Sequence, residues 1–372
     1  MEEKTRQHSK HHSKLHVAFL ATLALFAISS CINTHEEIEE SVVLDSLALS
    51  KQTEYTSLDR ALLHPDSVFL LNLSGGYFTE FPSISQFYNL QSLNCASNRL
   101  SELPPGIAIP IKLQTLDLSH NHLVQLSPQI LKLQSLKKLY LNDNQLTQLV
   151  EGFGSLGTLE ELNLSGNFLR ELPGGFTQLV NLWVLDLGRN SFSKLPDDFH
   201  ELSRLQNLGL RSNEFSQFPT QICKMGMLTS LDLYGNQLVS LPIQLGNCTS
   251  LQELYLGFNQ IKKLPQEIGD LEKLQTLLLS SNKIRQLPPE IGQLGNLSLL
   301  DLSNNFISEL PVEIAHLSKL EYLFLQNNRL VQLPNEVSKL QALKELNLKG
   351  NDIPKREIEK IQNLLPNVEI VF

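Results

Sequence analysis

Cysteine is scarce in this chain. There are four in 372 residues, at Cys31, Cys95, Cys223 and Cys248, and no two are spaced as CxxC. Neither a zinc site nor a thiol redox motif is therefore indicated. Basic residues are outnumbered, 30 Lys+Arg against 39 Asp+Glu. Binding to nucleic acid needs a basic face that neutralises phosphates, so no nucleic acid partner is expected. A Walker loop, HExxH and GxSxG are all missing, which removes the commonest signatures of nucleotide, zinc-protease and serine-hydrolase chemistry. We expect no enzyme, no cofactor, no metal and no small-molecule substrate.

What is present is repetition. Leu113 to Ser135, LQTLDLSHNHLVQLSPQILKLQS, carries LxxLxLxxN followed by spaced apolar residues. The asparagine recurs at Asn98, Asn121, Asn144, Asn167, Asn190, Asn213, Asn236, Asn259, Asn282, Asn305, Asn328 and Asn351, every 23 residues. Leu116 and Leu118 alternate with Thr115, Asp117 and Ser119, the period-two pattern of a short strand with one buried face. Strands of one polarity at a fixed interval lie parallel and need a return connection. Leu126, Ile130 and Leu133 supply its buried side. One unit cannot bury its apolar face alone, so neighbours stack. The amide of each asparagine can both donate to and accept from backbone groups left unpaired where the strand turns away. The column is therefore a structural ladder.

The unit LxxLxLxxNxLxxLPxxIxxLxx resembles the 23-residue leucine-rich repeat of bacterial surface proteins and intracellular scaffolds. The resemblance covers roughly 68–365. It implies an α/β solenoid, or horseshoe, with a parallel sheet on the concave face. About 13 turns are expected, with strands centred on Leu71, Leu93, Leu116, Leu139, Leu162, Leu185, Leu208, Leu231, Leu254, Leu277, Leu300, Leu323 and Leu346. Gly76 stands in the first asparagine place, and Ser127 and Val150 replace the proline of the LP pair.

The remaining segments divide as follows. Residues 1–30 read as a signal peptide: Lys4, Arg6, Lys10 and Lys14, then the apolar run Leu15 to Ser30, too short for a comfortable membrane span. Ile28-Ser29-Ser30-Cys31 resembles the lipobox of bacterial lipoproteins. That family implies export, acylation of Cys31 and attachment of the mature chain to the outer membrane or cell surface through a lipid anchor. Cleavage before Cys31 would leave 26 basic and 37 acidic residues, net −11. His8, His11, His12 and His16 fall in the removed part and give no metal site. Residues 31–40, including the acidic THEEIEE, form a tether. Residues 41–67 are expected to form a helical N-terminal cap, with Tyr55, Leu58, Ala61 and Leu62 on one face and Pro65 ending it. The repeat domain spans 68–353. Residues 354–372 form the other cap, a helix with Ile358, Ile361, Leu364 and Leu365 inward, then the strand VEIVF. The two cap sequences also resemble those of spirochaetal surface proteins of this repeat class, which implies adhesion or binding of host molecules. Cys95 and Cys248 take leucine places and read as core, whereas Cys223 is expected to face outward on the convex side. A Cys223–Cys248 bridge between turns is not expected.

Two functional classes remain: an exported lipoprotein that binds another protein, and an intracellular scaffold that regulates signalling partners. A working signal peptide separates them. On the strand, the third, fifth and seventh positions of LxxLxLxxN face the concave side. Asp117, Asp186, Asp232 and Asp301 share the fifth column, but Tyr140, Asn163, Gly209, Tyr255 and Leu278 intervene, so no paired-carboxylate chemistry is expected. Most concave positions hold small or polar residues. From the eighth turn they become Tyr234, Tyr255, Leu278, Leu299, Tyr322 and Phe324, with Phe258 just beyond the strand. A contiguous aromatic group on a polar-rimmed face is the arrangement of a protein-binding hot spot. Trp183 and Tyr140 stand apart from it.

Overall fold

The strands form because leucine alternates with polar residues, and each ladder strand takes three of the alternating positions, as Thr115–Asp117 does. The computed structural model describes residues 43–372, so the signal peptide, Cys31 and the tether lie outside the described residues. Residues 44–372 make one unit built on a single fifteen-stranded parallel sheet whose spatial order is the chain order. β1 is Glu54–Tyr55 and β2 is Leu70–Asn72. β3 to β8 are Ser92–Asn94, Thr115–Asp117, Lys138–Tyr140, Glu161–Asn163, Val184–Asp186 and Asn207–Gly209. β9 to β13 are Ser230–Asp232, Glu253–Tyr255, Thr276–Leu278, Leu299–Asp301 and Tyr322–Phe324. β14 is Glu345–Asn347 and β15 is Glu369–Val371. Each expected strand centre is a strand, and the central leucine of each is buried. The sheet is longer than the repeats alone predict, because β1 and β15 extend it at either end through pairs with β2 and β14.

Return connections are 3-10 turns. Pro265 opens Gln266–Asp270 at φ −72°, near the angle its ring fixes, while Leu264, Ile268 and Leu271 are buried. Ser127, in the place of a proline, caps Pro128–Lys132 with its hydroxyl accepting from the Gln129 N–H at 3.4 Å. The turn there is therefore formed, with Ile130 fully buried, rather than loosened. After the buried isoleucine comes a position of close approach. A Cβ on Gly269 would stand 2.8 Å from the Glu290 carbonyl oxygen of the next turn.

This close approach corrects the placement of Cys223. It occupies that inter-turn position, is buried, and brings its Sγ to 2.9 Å from Cys248 Sγ, both as free thiols. The N-terminal cap also differs from the all-helical expectation. It is α1 (Ser46–Ser50), β1 and α2 (Leu58–Leu62). Tyr55 lies on the strand, and Leu62 is exposed. Glu54 and Tyr55 pair in parallel with Leu70 and Leu71 of β2, and two glutamines hold the start of the segment. Gln91 Oε1 accepts from the Leu44 N–H at 2.8 Å, and Gln114 Nε2 donates to the Leu44 carbonyl at 2.7 Å. These bonds draw the segment along the sheet. At the other end α3 (Lys355–Leu364) follows Pro354 and buries Ile361. Among the described residues, no helix is long and apolar enough to cross a membrane.

Candidate functional site

The asparagines set the geometry of the concave face. Asn259 Nδ2 donates to the Leu233 carbonyl one turn back at 2.9 Å and to Leu256 and Gly257 in its own turn at 3.0 and 3.2 Å. Its Oδ1 accepts from the Leu238 N–H at 2.9 Å. The same set recurs from Asn121 to Asn305, so each side chain ties two turns together, and carbonyls such as those of Leu233 and Leu256 each accept from two successive ladder amides. The residue before each ladder asparagine from Asn98 to Asn351 has positive φ: Ser97, His120, Asp143, Gly166, Arg189, Ser212, Gly235, Phe258, Ser281, Asn304, Asn327 and Gly350. Small or amide side chains suit that left-handed place. Phe258 does not, nor does Arg189, because a bulky side chain at φ +53° is strained, and Phe258 is the aromatic ring among them. Phe258 is also 55% exposed. The chain thus holds an aromatic outward at a position where its backbone disfavours one.

The aromatic residues fall into two groups joined by the sheet register. Tyr234 and Phe258 rings stand 4.9 Å apart at 43°. Tyr255 pairs with Leu278 on the adjacent strand. Leu299 pairs with Tyr322, whose ring lies 6.4 Å from Phe324. Asp301 separates Leu278 from Phe324 in their row and is buried, with one oxygen accepting from the Ser303 N–H at 2.9 Å. All but Phe258 are half-buried.

Charge enters at the N-terminal edge of this patch. The Arg211 guanidinium lies 5.5 Å from the Tyr234 ring centroid, and its Nε is buried with no partner among the described residues. Asp186 and Asp232 are closer in effect than the sequence suggests. The strand between them carries Gly209, and Asp186 Oδ1 lies where a Gly209 side chain would begin, 2.5 Å from that Cβ position. Burial pushes the Asp232 carboxyl up to about 7, against a backbone hydrogen bond from Tyr234 and the charge of Arg211, with Asp186 adding to the rise. Burial likewise raises Asp186. Asp117 is remote from this pair, and no group of three or more metal-ligating side chains occurs among the described residues.

Other features lie outside the expected site. Phe306 is exposed with Arg329 stacked 4.7 Å above it, and Phe168 is also exposed. Neither occupies a concave column, so the alternation rule could not find them; an aromatic next to the asparagine is the available signal. Gly152 to Gly157, GFGSLG, has the GxGxxG spacing of a phosphate-binding loop. It forms a convex 3-10 turn with Phe153 and Gly154 buried, rather than the strand-to-helix junction that cradles phosphate. Cys95 is fully buried, and burial pushes its thiol up to about 12.

The leucine rich repeat family model matches residues 88–146, 111–169, 158–215, 226–284, 272–330 and 295–353. No curated protein matches by sequence. Among solved structures, a leucine-rich-repeat protein of Leptospira interrogans is 35% identical over 86% of this chain and 100% of its own, at a TM-score of 0.62. The repeat ectodomain of the Arabidopsis thaliana receptor kinase GASSHO1/SCHENGEN3, in complex with CASPARIAN STRIP INTEGRITY FACTOR 2, is 27% identical, at a TM-score of 0.61. That match covers 77% of this chain and 38% of the receptor. TLR13 in complex with ssRNA13 is 26% identical over 86% of this chain and 49% of its own, at a TM-score of 0.70.

Proposed function

The chain belongs to the leucine-rich repeat proteins, and on that premise we propose that it is a non-enzymatic module whose concave face grips another protein. Members of this family are generally interaction modules, and the plant receptor is held with CASPARIAN STRIP INTEGRITY FACTOR 2. One observation carries the reading: Tyr234, Tyr255, Phe258, Leu278, Leu299, Tyr322 and Phe324 replace the small and polar residues of the other turns, and Phe258 does so against its backbone preference. Aromatic anchors at half exposure gain most from a partner that completes their burial. The fold also serves RNA binding in TLR13. The acidic balance of this chain, 39 Asp+Glu to 30 Lys+Arg, favours protein instead.

The test is affinity capture on immobilised protein. Wild type and a Ser92→Ala/Asn94→Ala control should retain the same partner, and Tyr322→Ala with Phe324→Ala should lose it while keeping its fold by circular dichroism. Equal capture by all three places the contact elsewhere.

We further propose export, with Cys31 carrying the lipid anchor; the motivation is ISSC after an apolar run. Mass spectrometry of the mature N-terminus decides it. A free amine at a residue other than 31 refutes the lipid anchor and leaves export by ordinary cleavage, whereas an intact Met1 refutes the lipoprotein and favours the intracellular scaffold. Detergent partitioning and protease accessibility on intact cells then locate the protein.

A further inference from the structure

A cavity of about 520 Å³ opens where the chain enters four successive strands, away from the concave aromatic columns. Its size lies within the roughly 300–1,000 Å³ of small-ligand sites. One column crosses it: Lys137, Glu160, Trp183 and Gln206, one residue per turn. The backbone holds that column rigidly. The Trp183 N–H donates to the Glu160 carbonyl at 2.9 Å, and the Trp183 carbonyl accepts from Gln206 and Asn207 at 2.9 and 3.0 Å. Beside the column the rim is also tied down. Arg204 Nη1 donates to Asn181 Oδ1 at 2.8 Å, and Asn181 Nδ2 donates to the Gly157 carbonyl at 2.7 Å. Met227, 49% exposed, adds a second apolar surface.

The column side chains are unoccupied by one another. Among the described residues, the Trp183 indole has no ring stacking, cation–π contact or hydrogen bond, and the heads of Lys137, Glu160 and Gln206 have no hydrogen bond or ion pair. An aromatic face thus stands beside an ammonium, a carboxylate and an amide that are all free to bond.

We propose that this cavity binds a neutral pyranose ring, as a free sugar or a glycan terminus. A pyranose has an apolar C–H face that packs flat on an indole, and a rim of hydroxyls that each donate and accept. The lining supplies both senses: donors at Lys137, Arg204 and the indole N–H, an acceptor at Glu160, and both in Gln206. Lys137 and Arg204 leave one net positive charge against Glu160, whose carboxylate stands within the column itself and repels an anion there, and the glucuronate titration tests that selection. A hydrocarbon would leave the polar heads desolvated without partners. A peptide strand would need backbone groups to pair with, but the backbone N–H and C=O groups of this column already pair between turns.

Trp183 is the chain's only tryptophan, so its emission reports this cavity alone. The full mature protein is titrated with methyl β-D-glucopyranoside, methyl β-D-galactopyranoside and N-acetylglucosamine, and in parallel with glucuronate, adenosine and a neutral tripeptide. The expected result is a saturable emission change at millimolar concentration with at least one neutral sugar. Calorimetry should show that binding is kept in Trp183→Phe and weakened at least about tenfold in Trp183→Ala and in the pair Glu160→Ala/Gln206→Ala, as for loss of a stacked ring or its hydrogen bonds. Circular dichroism and the unfolding midpoint confirm that each variant folds. Tyr322→Ala with Phe324→Ala should leave the sugar response unchanged, so failure here and failure of the concave site are separable. The proposal is overturned if no neutral sugar gives a saturable change, if only glucuronate, adenosine or the tripeptide does, or if Glu160→Ala/Gln206→Ala binds sugar like wild type.

Discussion

Two stretches of this solenoid use aromatic residues in opposite ways. Between residues 153 and 218 there are seven phenylalanines, and six of them, Phe153, Phe176, Phe192, Phe199, Phe215 and Phe218, are buried. Phe153 and Phe176 stack at 6.1 Å and 8°. Between 234 and 324 there are six aromatics, Tyr234, Tyr255, Phe258, Phe306, Tyr322 and Phe324, and none is buried. In the first stretch phenylalanine takes places that leucine or isoleucine fills in other turns, so the ring is core volume. In the second the core stays aliphatic and the rings sit where other turns carry small or polar groups. A repeat protein therefore separates two meanings of one residue type by column: an inward column reports packing, an outward column reports contact.

The sharpest way to break this comparison is Phe176→Ala. Loss of a fully packed ring should destabilise by about 3–5 kcal/mol, read from denaturant unfolding, and partner capture per folded molecule should not change. A loss no larger than that of Tyr322→Ala would mean the two stretches are not distinct. Second comes the ladder beneath the exposed aromatics. Asn259→Ala strands buried backbone groups and should cost ~1–3 kcal/mol. Asn351→Ala should cost less, because Asn351 is only part-buried and fewer turns depend on it. Equal midpoint shifts would contradict this.

A smaller effect sharpens the contrast at Phe258. Phe258→Gly relieves a left-handed backbone while losing one ring contact with Tyr234, so stability should stay within about 1 kcal/mol of wild type as partner affinity falls. A large destabilisation would make Phe258 a packing residue. The smallest effect is electrostatic. Asp232 holds its proton up to about 7 when folded, against 3.8 ordinarily. The folded state then binds the extra proton, so this group's contribution to stability is full below pH 4 and declines as pH rises through 7. Asp232→Asn should flatten that decline. Parallel slopes of midpoint against pH for both proteins would exclude it.

Most of the fold was legible because the repeat is so regular. The leucine spacing gave every ladder strand, and the polar columns gave the outward face. What escaped came from contacts between turns. Gly209 brings Asp186 toward Asp232 by having no side chain, and a column reading treats it only as a gap. Cys223 lands between turns because the convex connection is a tight 3-10 turn, which sequence spacing does not specify. The start of the N-terminal cap is held by Gln91 and Gln114 reaching residue 44, contacts 47 and 70 residues away in sequence. Trp183 looked isolated because its neighbours are distant along the chain, Glu160 and Gln206 by one turn and Lys137 by two.

The asparagine ladder also governs which changes of length the chain can absorb. The amide of Asn259 reaches 26 residues back and is reached from 21 residues back, so beside its bonds within the turn it makes two that join successive units of the repeat. Excising a whole unit hands each asparagine an equivalent partner, whereas excising one residue more or fewer misaligns strand, ladder and inter-turn glycine together. The one 22-residue interval lies at Gly76, where there is no amide to misalign. Insertions and deletions are thus quantised: the solenoid can lengthen or shorten in steps of 23, carrying the exposed aromatics nearer to or farther from either end without redesigning the turns between.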